Sequence, residues 1–153
     1  FNMKHLYNSN ILDVTSGVIV HGCNAQGVMG SGVAKQLRAK YPEIYDAYVK
    51  HLDNFKTKSC SPLGSVNFVL VHSSLTVANA ITQEFYGRDG KHYVSYEALH
   101  EALVDVVDMA NGSTVHVPYL IGAGLGGGSE QKIIEIFKNI GYENICFHHL
   151  NDQ

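Results

Sequence analysis

The spacing of apolar residues along this chain changes several times, and each change marks an element. "MKHLY" and "GVIVHG" are short apolar runs, the second of β-branched residues ending at glycine, and both read as buried strands. From Ser31 the period becomes helical, with Val33, Ala34, Leu37 and Tyr41 on one face. Pro42 interrupts that face, and with Glu43 it restarts a second helix, "EIYDAYVKHL", whose inner residues are Ile44, Tyr48 and Leu52. Residues 53–64, "DNFKTKSCSPLG", are polar with a proline and a terminal glycine and are expected to form a loop. "VNFVLVH" and "LTVANAIT" follow as two strands, paired as a hairpin through Ser73 and Ser74.

"QEFYGRDGKHYV" is a turn-rich polar stretch of a length that a compact domain keeps for a reason. Ser95 is placed to cap the helix "YEALHEALVDVVDMA". Its Tyr96, Leu99, Leu103, Val106 and Ala110 share a face, and Gly112 stands where a helix C-terminus favours glycine. The remainder reads as a strand "TVHVPYLI", a glycine loop "GAGLGGG", a helix "SEQKIIEIFKNI" with Ile133, Ile134 and Phe137 inward, and a last strand "NICFHHL". Strands alternating with helices predict an α/β domain with a largely parallel or mixed sheet covered on both faces.

Composition narrows the class. The 153 residues are 45% apolar, enough for one sizeable core and too few for two ordinary domains. Phe1 and Asn2 precede Met3, which reads as a native start, so the domain is expected to run from Met3 to Gln153. Charged residues make up 16%, the formal charge is −3, and the lysines and arginines are scattered, which argues against a nucleic-acid partner. No apolar run approaches the ~20 residues needed to span a bilayer, so no membrane partner is expected. Cys23, Cys60 and Cys146 are odd in number and widely spaced, which suggests neither a disulfide framework nor a zinc site. A reducing cytoplasm, that of a host if the source is viral, and a monomer are the expectations, with no cofactor and no metal.

The candidate chemistry lies in the two glycine loops. A strand, a glycine loop and a helix in succession gather several backbone N–H groups and the positive end of a helix dipole at one point, where an anion can approach closely. One such loop runs from Asn24 to Val33 and the other from Gly122 to Gly128, and both fall beyond strand ends, where α/β sheets bind ligands. Two cradles on one sheet edge suit a diphosphate. The alternative is that such loops only make tight turns. Neither is a P-loop, and neither is followed by the acidic ribose clamp of a nicotinamide site.

"GVIVHGCNAQGVMGSGVAKQLRAKYPEIYDAY" together with "VHVPYLIGAGLGGG" resembles the macrodomain family, which binds ADP-ribose. The likeness is to the branch holding the yeast and bacteriophage ADP-ribose-1″-phosphate phosphatases, the terminal ADP-ribose protein glycohydrolase and the DNA ADP-ribosyl glycohydrolases. It implies a three-layer α/β/α sandwich with a mixed, mostly parallel sheet. By position, Asn24 would face the distal ribose, while Gly30, Ser31, Gly32 and Val33 would support that ribose and its phosphate. Gly122, Ala123, Gly124, Leu125 and Gly126 would wrap the diphosphate. Asn10 and Ile11 stand at the adenine end, where Asn10 offers an amide carbonyl in place of the family's usual aspartate.

The glycohydrolases of this branch use a lysine nucleophile and an aspartate in the second loop. Gln83 and Gly126 occupy those positions here, so Gln83 is expected to bind ligand without attacking it. The phosphatases instead share the histidine three residues before the asparagine. The resemblance therefore implies His21 and Asn24 as the catalytic pair of a metal-independent phosphatase acting on ADP-ribose-1″-phosphate. A binding module without turnover and an ADP-ribosyl hydrolase are the alternatives. Arg88 and Lys91 could meet a terminal phosphate, Phe85 or Tyr86 could shield the ribose, and Asp89 could orient His21. Cys23 is expected to be a small buried residue, and the remaining histidines show no ligand spacing.

Overall fold

A computed structural model describes residues 3–87, 89, 91–121 and 127–150. Its strands are β1 (Lys4–Leu6), β2 (Gly17–Asn24), β3 (Val66–His72), β4 (Leu75–Gln83), β5 (Val115–Pro118) and β6 (Ile145–His148), and its helices are α1 (Gly32–Lys40), α2 (Glu43–Thr57), α3 (Tyr96–Ala110) and α4 (Glu130–Ile140). A 3₁₀ turn covers Ile11–Asp13. The six strands form one sheet in the order β1-β6-β5-β2-β4-β3. Every neighbouring pair is parallel except the β3–β4 hairpin. The result is the expected three-layer α/β/α sandwich. No helix among the described residues is long and apolar enough to cross a membrane.

Alternation along β2 explains the two cores. Val18 and Val20 point to one face, where they meet Leu99, Leu103 and Val106 of α3 and Ile133 and Phe137 of α4. Ile19 and Cys23 point to the other, against Leu37 of α1 and Ile44, Tyr48 and Leu52 of α2. Because both faces of the central strands are covered, their residues are apolar in nearly continuous runs. Asn79, Thr82 and His21 break those runs, and all three are buried.

Two boundaries differ most from the sequence expectation. Helix α2 continues through residues 53–57, which were expected to be loop, because Phe55 extends the Leu52 stripe while Asp53, Asn54, Lys56 and Thr57 form its wet face. Polarity alone cannot tell that wet face from a loop. Ser59, with φ 53°, turns the chain out of the helix. Strand β5 stops at Pro118 instead of running to Ile121: proline has no ladder donor, and Ile121 N–H closes a turn onto the Pro118 carbonyl at 2.9 Å. At the end of α3, Asn111 takes the left-handed position ahead of Gly112. The Ser95 cap is as expected, its hydroxyl accepting from Ala98 N–H at 3.1 Å.

Candidate functional site

A cavity of about 450 Å³ opens beyond the C-terminal ends of the parallel strands. Its wall is built from the end of β2, the loop into α1, Gln83 at the end of β4, residues 118–121 from the end of β5 and residues 148–150 from the end of β6. Of the expected site residues, His21, Asn24, Gly30, Ser31, Gly32, Val33 and Gln83 line it together. Gly122, Ala123, Gly124, Leu125 and Gly126 lie outside the described residues, as does Arg88.

Asn10 and Ile11 are not in this wall. The Asn10 side-chain oxygen accepts from Leu12 N–H at 3.0 Å, capping the 3₁₀ turn, and Ile11 is buried in the α1/α2 core. Among the described residues no lysine or arginine lines the cavity. An anion there would therefore be met by main-chain donors, and α1 offers them. Its N-cap, Ser31, makes no side-chain capping bond, whereas Ser95 and Ser129 cap α3 and α4. The first N–H groups of α1 thus keep their donors at the cavity edge.

The shape of the loop before α1 comes from two tyrosines of α2. The Tyr48 hydroxyl lies 2.5 Å from the Asn24 carbonyl oxygen and 2.9 Å from Asn24 Oδ1, and accepts from Gly27 N–H at 3.1 Å. Tyr45 donates to the Gly27 carbonyl at 3.0 Å. Burial pushes the Tyr48 pKa up, so its proton stays in place. The Asn24 amide is also committed to the loop: Nδ2 donates to the Val28 carbonyl at 2.8 Å and Oδ1 accepts from Gln26 N–H at 2.9 Å. In this conformation Asn24 shapes the cradle through its own loop. Tyr48→Phe is expected to destabilise the protein by about 1–2 kcal/mol in urea denaturation, because it orphans the Gly27 donor and frees the Asn24 carbonyl. A change below a few tenths would mean that the loop is held by other contacts.

His21 lies at the cavity floor and is 1% exposed. Its Nε2 is 2.6 Å from Asn79 Oδ1, on the residue directly across the β2–β4 ladder. The amide of Asn79 is itself oriented, since its Nδ2 donates to the Ile44 carbonyl at 3.1 Å and to Asn67 Oδ1 at 3.0 Å. Asn79 Oδ1 must then accept, so Nε2 carries the ring proton and Nδ1 keeps its lone pair. Burial lowers the His21 pKa to about 4, against a smaller opposing effect of the Asn79 bond, and the ring is neutral at neutral pH.

Asn79 is the partner that sequence reasoning missed, although a lone asparagine inside the apolar run "LTVANAIT" was its visible signal. Asp89 does not hold His21: its carboxylate accepts from Tyr93 at 2.9 Å and from Lys91 N–H at 3.1 Å in the exposed loop. That local turn uses up the carboxylate.

Cys23 Sγ approaches His21 at 3.7 Å, but burial drives its thiol pKa upward, which makes it a packed residue and not a nucleophile. Gly22 is required by the floor, because a Cβ there would meet Thr82 Oγ1 at 2.8 Å. Gln83 donates to the Phe85 carbonyl at 2.6 Å, and Tyr86 adds an exposed ring to the cavity mouth. Beyond β5, the Tyr119 and His149 rings stack at 3.8 Å.

Comparison with known proteins gives the family and the fold. Residues 20–137 match the Macro domain family model. Over 45 residues the chain is 44% identical to an ADP-ribose 1″-phosphate phosphatase of Scheffersomyces stipitis, covering 29% of this chain and 24% of the relative. Over 127 residues it is 29% identical to a DNA ADP-ribosyl glycohydrolase of Thermus aquaticus, covering 82% of this chain and 34% of the relative. These relatives are much longer than the segments the chain aligns with. Among solved structures, a protein of unknown function from Bacteroides thetaiotaomicron superposes with a TM-score of 0.81 at 31% identity, covering 97% of this chain and 99% of that one.

Proposed function

Since the chain belongs to the Macro domain family, we propose that it binds ADP-ribose and hydrolyses the terminal phosphate of ADP-ribose-1″-phosphate. The observation that carries this reading is the fixed tautomer of His21. Asn79 holds the Nε2 proton, and Nδ1 keeps its lone pair on a ring that lines the cavity, 3.8 Å from the Cys23 sulfur. In the proposed step Nδ1 takes a proton from water as the water oxygen bonds to phosphorus. The phosphorus–oxygen bond to the ribose breaks, and the imidazolium returns its proton to the leaving ribose oxygen, giving ADP-ribose and inorganic phosphate. Main-chain N–H groups at the open end of α1 would stabilise the charge gathering on the phosphoryl oxygens. No part of this step needs a metal. Gly122 to Gly126 are assigned to the diphosphate on the resemblance of their motif alone.

A second reading, a module that binds ADP-ribose without turnover, draws on the near-complete burial of His21. A glycohydrolase is disfavoured by the neutral amide of Gln83 at the position where that chemistry uses a lysine. The deciding experiment is incubation with ADP-ribose-1″-phosphate while inorganic phosphate is followed, with ADP-ribose affinity measured in parallel by calorimetry. Phosphate release that is catalytic in protein supports the phosphatase. Heat of binding without release selects the module, and no heat with ADP-ribose removes both readings.

A further inference from the structure

The face of the sheet that carries His21 is covered by α1 and α2 only over part of its width. At the β5–β6 end the segment from Ser9 to Ser16 lies over it instead. Strand register places His116 opposite Cys146 and Pro118 opposite His148. Alternation then directs His116, Cys146 and His148 to this same face. Their ligand atoms all lie within 4.8 Å of one another, with Cys146 and His148 buried and His116 half-buried.

The hydrogen bonds around the two rings orient them inward. His116 Nε2 is 3.1 Å from the Ser16 carbonyl, which can only accept, so His116 keeps its proton on Nε2 and turns the Nδ1 lone pair toward His148. That Nδ1 lies 2.8 Å from His148 Nε2, and the two inward nitrogens share a single proton. On its outer side His148 Nδ1 is 2.7 Å from the Ser9 hydroxyl, which can donate or accept. The His148 proton can therefore move to Nδ1, onto Ser9, and leave Nε2 bare. Both imidazoles then have the outer partner that metal-binding histidines show, a carbonyl on one and a hydroxyl on the other.

We propose that His116 Nδ1, His148 Nε2 and Cys146 Sγ form a binding site for one divalent cation of the zinc class, with a fourth position open to water. Two imidazoles and a thiolate suit a borderline-soft ion and not magnesium or calcium, which require oxygen ligands. On binding, the Cys146 thiol gives up its proton to solvent and a sulfur–metal bond forms, while the proton between the rings shifts to His148 Nδ1. The net change is about one proton released per cation. The half-buried edge of His116 is the way in. This site is separate from the phosphatase reading and does not depend on it, although His148 also belongs to the cavity wall.

Cobalt(II), a spectroscopic stand-in for zinc, tests the site in the full, reduced chain, with Cys60→Ser as background to remove the exposed thiol. The expected result is one cobalt per chain, with a thiolate-to-cobalt charge-transfer band, tetrahedral visible bands and about one proton released. Cys146→Ser is expected to abolish the charge-transfer band. Ser9→Ala is expected to weaken cobalt binding about 10–100-fold by removing the outer partner of His148. If Cys146→Ser does not fold, His116→Gln decides, since it removes a ligand from a half-buried position and must weaken binding at least as much. Absence of the charge-transfer band in the Cys60→Ser background overturns the proposal, and so does a band that persists in both ligand variants.

Discussion

His21→Gln is expected to lower phosphate release from ADP-ribose-1″-phosphate by about 10²–10⁴-fold, the range spanned by loss of a positioned proton-transfer group. Glutamine is the informative replacement because its amide can still donate to Asn79 Oδ1, which keeps the buried hydrogen bond that an alanine would break. The variant retains polarity and approximate size but has no basic nitrogen. ADP-ribose should bind it about as well as the wild type, since the main-chain donors at the start of α1 are untouched. Loss of both binding and release would trace the effect to a damaged cavity, and a decrease of less than about tenfold would remove His21 as the base. The wild-type pH profile offers an independent check: with the His21 pKa near 4, activity should persist through mildly acidic pH and fall only as the ring protonates near 4.

Acid should also weaken the fold in a window set by the same histidine. In the unfolded chain a histidine titrates near 6.5, whereas His21 in the fold titrates at about 4 because burial penalises the charged ring. Above about pH 6.5 both states are neutral and the group adds no pH dependence. As pH falls below that value the unfolded chain binds a proton that the folded one refuses. Stability then declines by up to about 1.4 kcal/mol per pH unit until the folded ring protonates too, for a total of about 3 kcal/mol. His148 acts in the same direction, lowered to about 4 by burial and by the nearby His116 and His149. Urea denaturation at about pH 7.5, 5.5 and 4.5 measures the slope, and His21→Gln should reduce it while leaving the share of His148. Equal stability at the two extremes would show that His21 reaches water and titrates normally.

The order and type of the elements were legible in the chain because hydrophobic period is a local property. Continuous β-branched runs mark strands buried on both faces, and the recurrence of Ile44, Tyr48 and Leu52 marks one side of a helix. Ser95 and the glycine loop from Asn24 to Val33 announce themselves by residue type, since caps and tight turns depend on a few neighbouring residues. What failed locally were the ends. The wet face of α2 after Leu52 has the composition of a loop, and β5 ends on a proline inside an otherwise strand-like run.

The sequence by itself thus determined which segments become strands and helices, and that His21 and a glycine loop meet at one strand end. Only the tertiary structure decided what His21 bonds to, which side chains hold the loop, and that a cysteine and two histidines converge. Asn79 faces His21 through the β2–β4 register, Tyr48 reaches Asn24 from a helix on the covering layer, and His116 meets Cys146 across the β5–β6 ladder. Period-two alternation tells which face a residue takes but not which strand lies beside it. Parallel neighbours are joined by long crossovers, so their pairing is settled by the packing of the whole sheet and its helices.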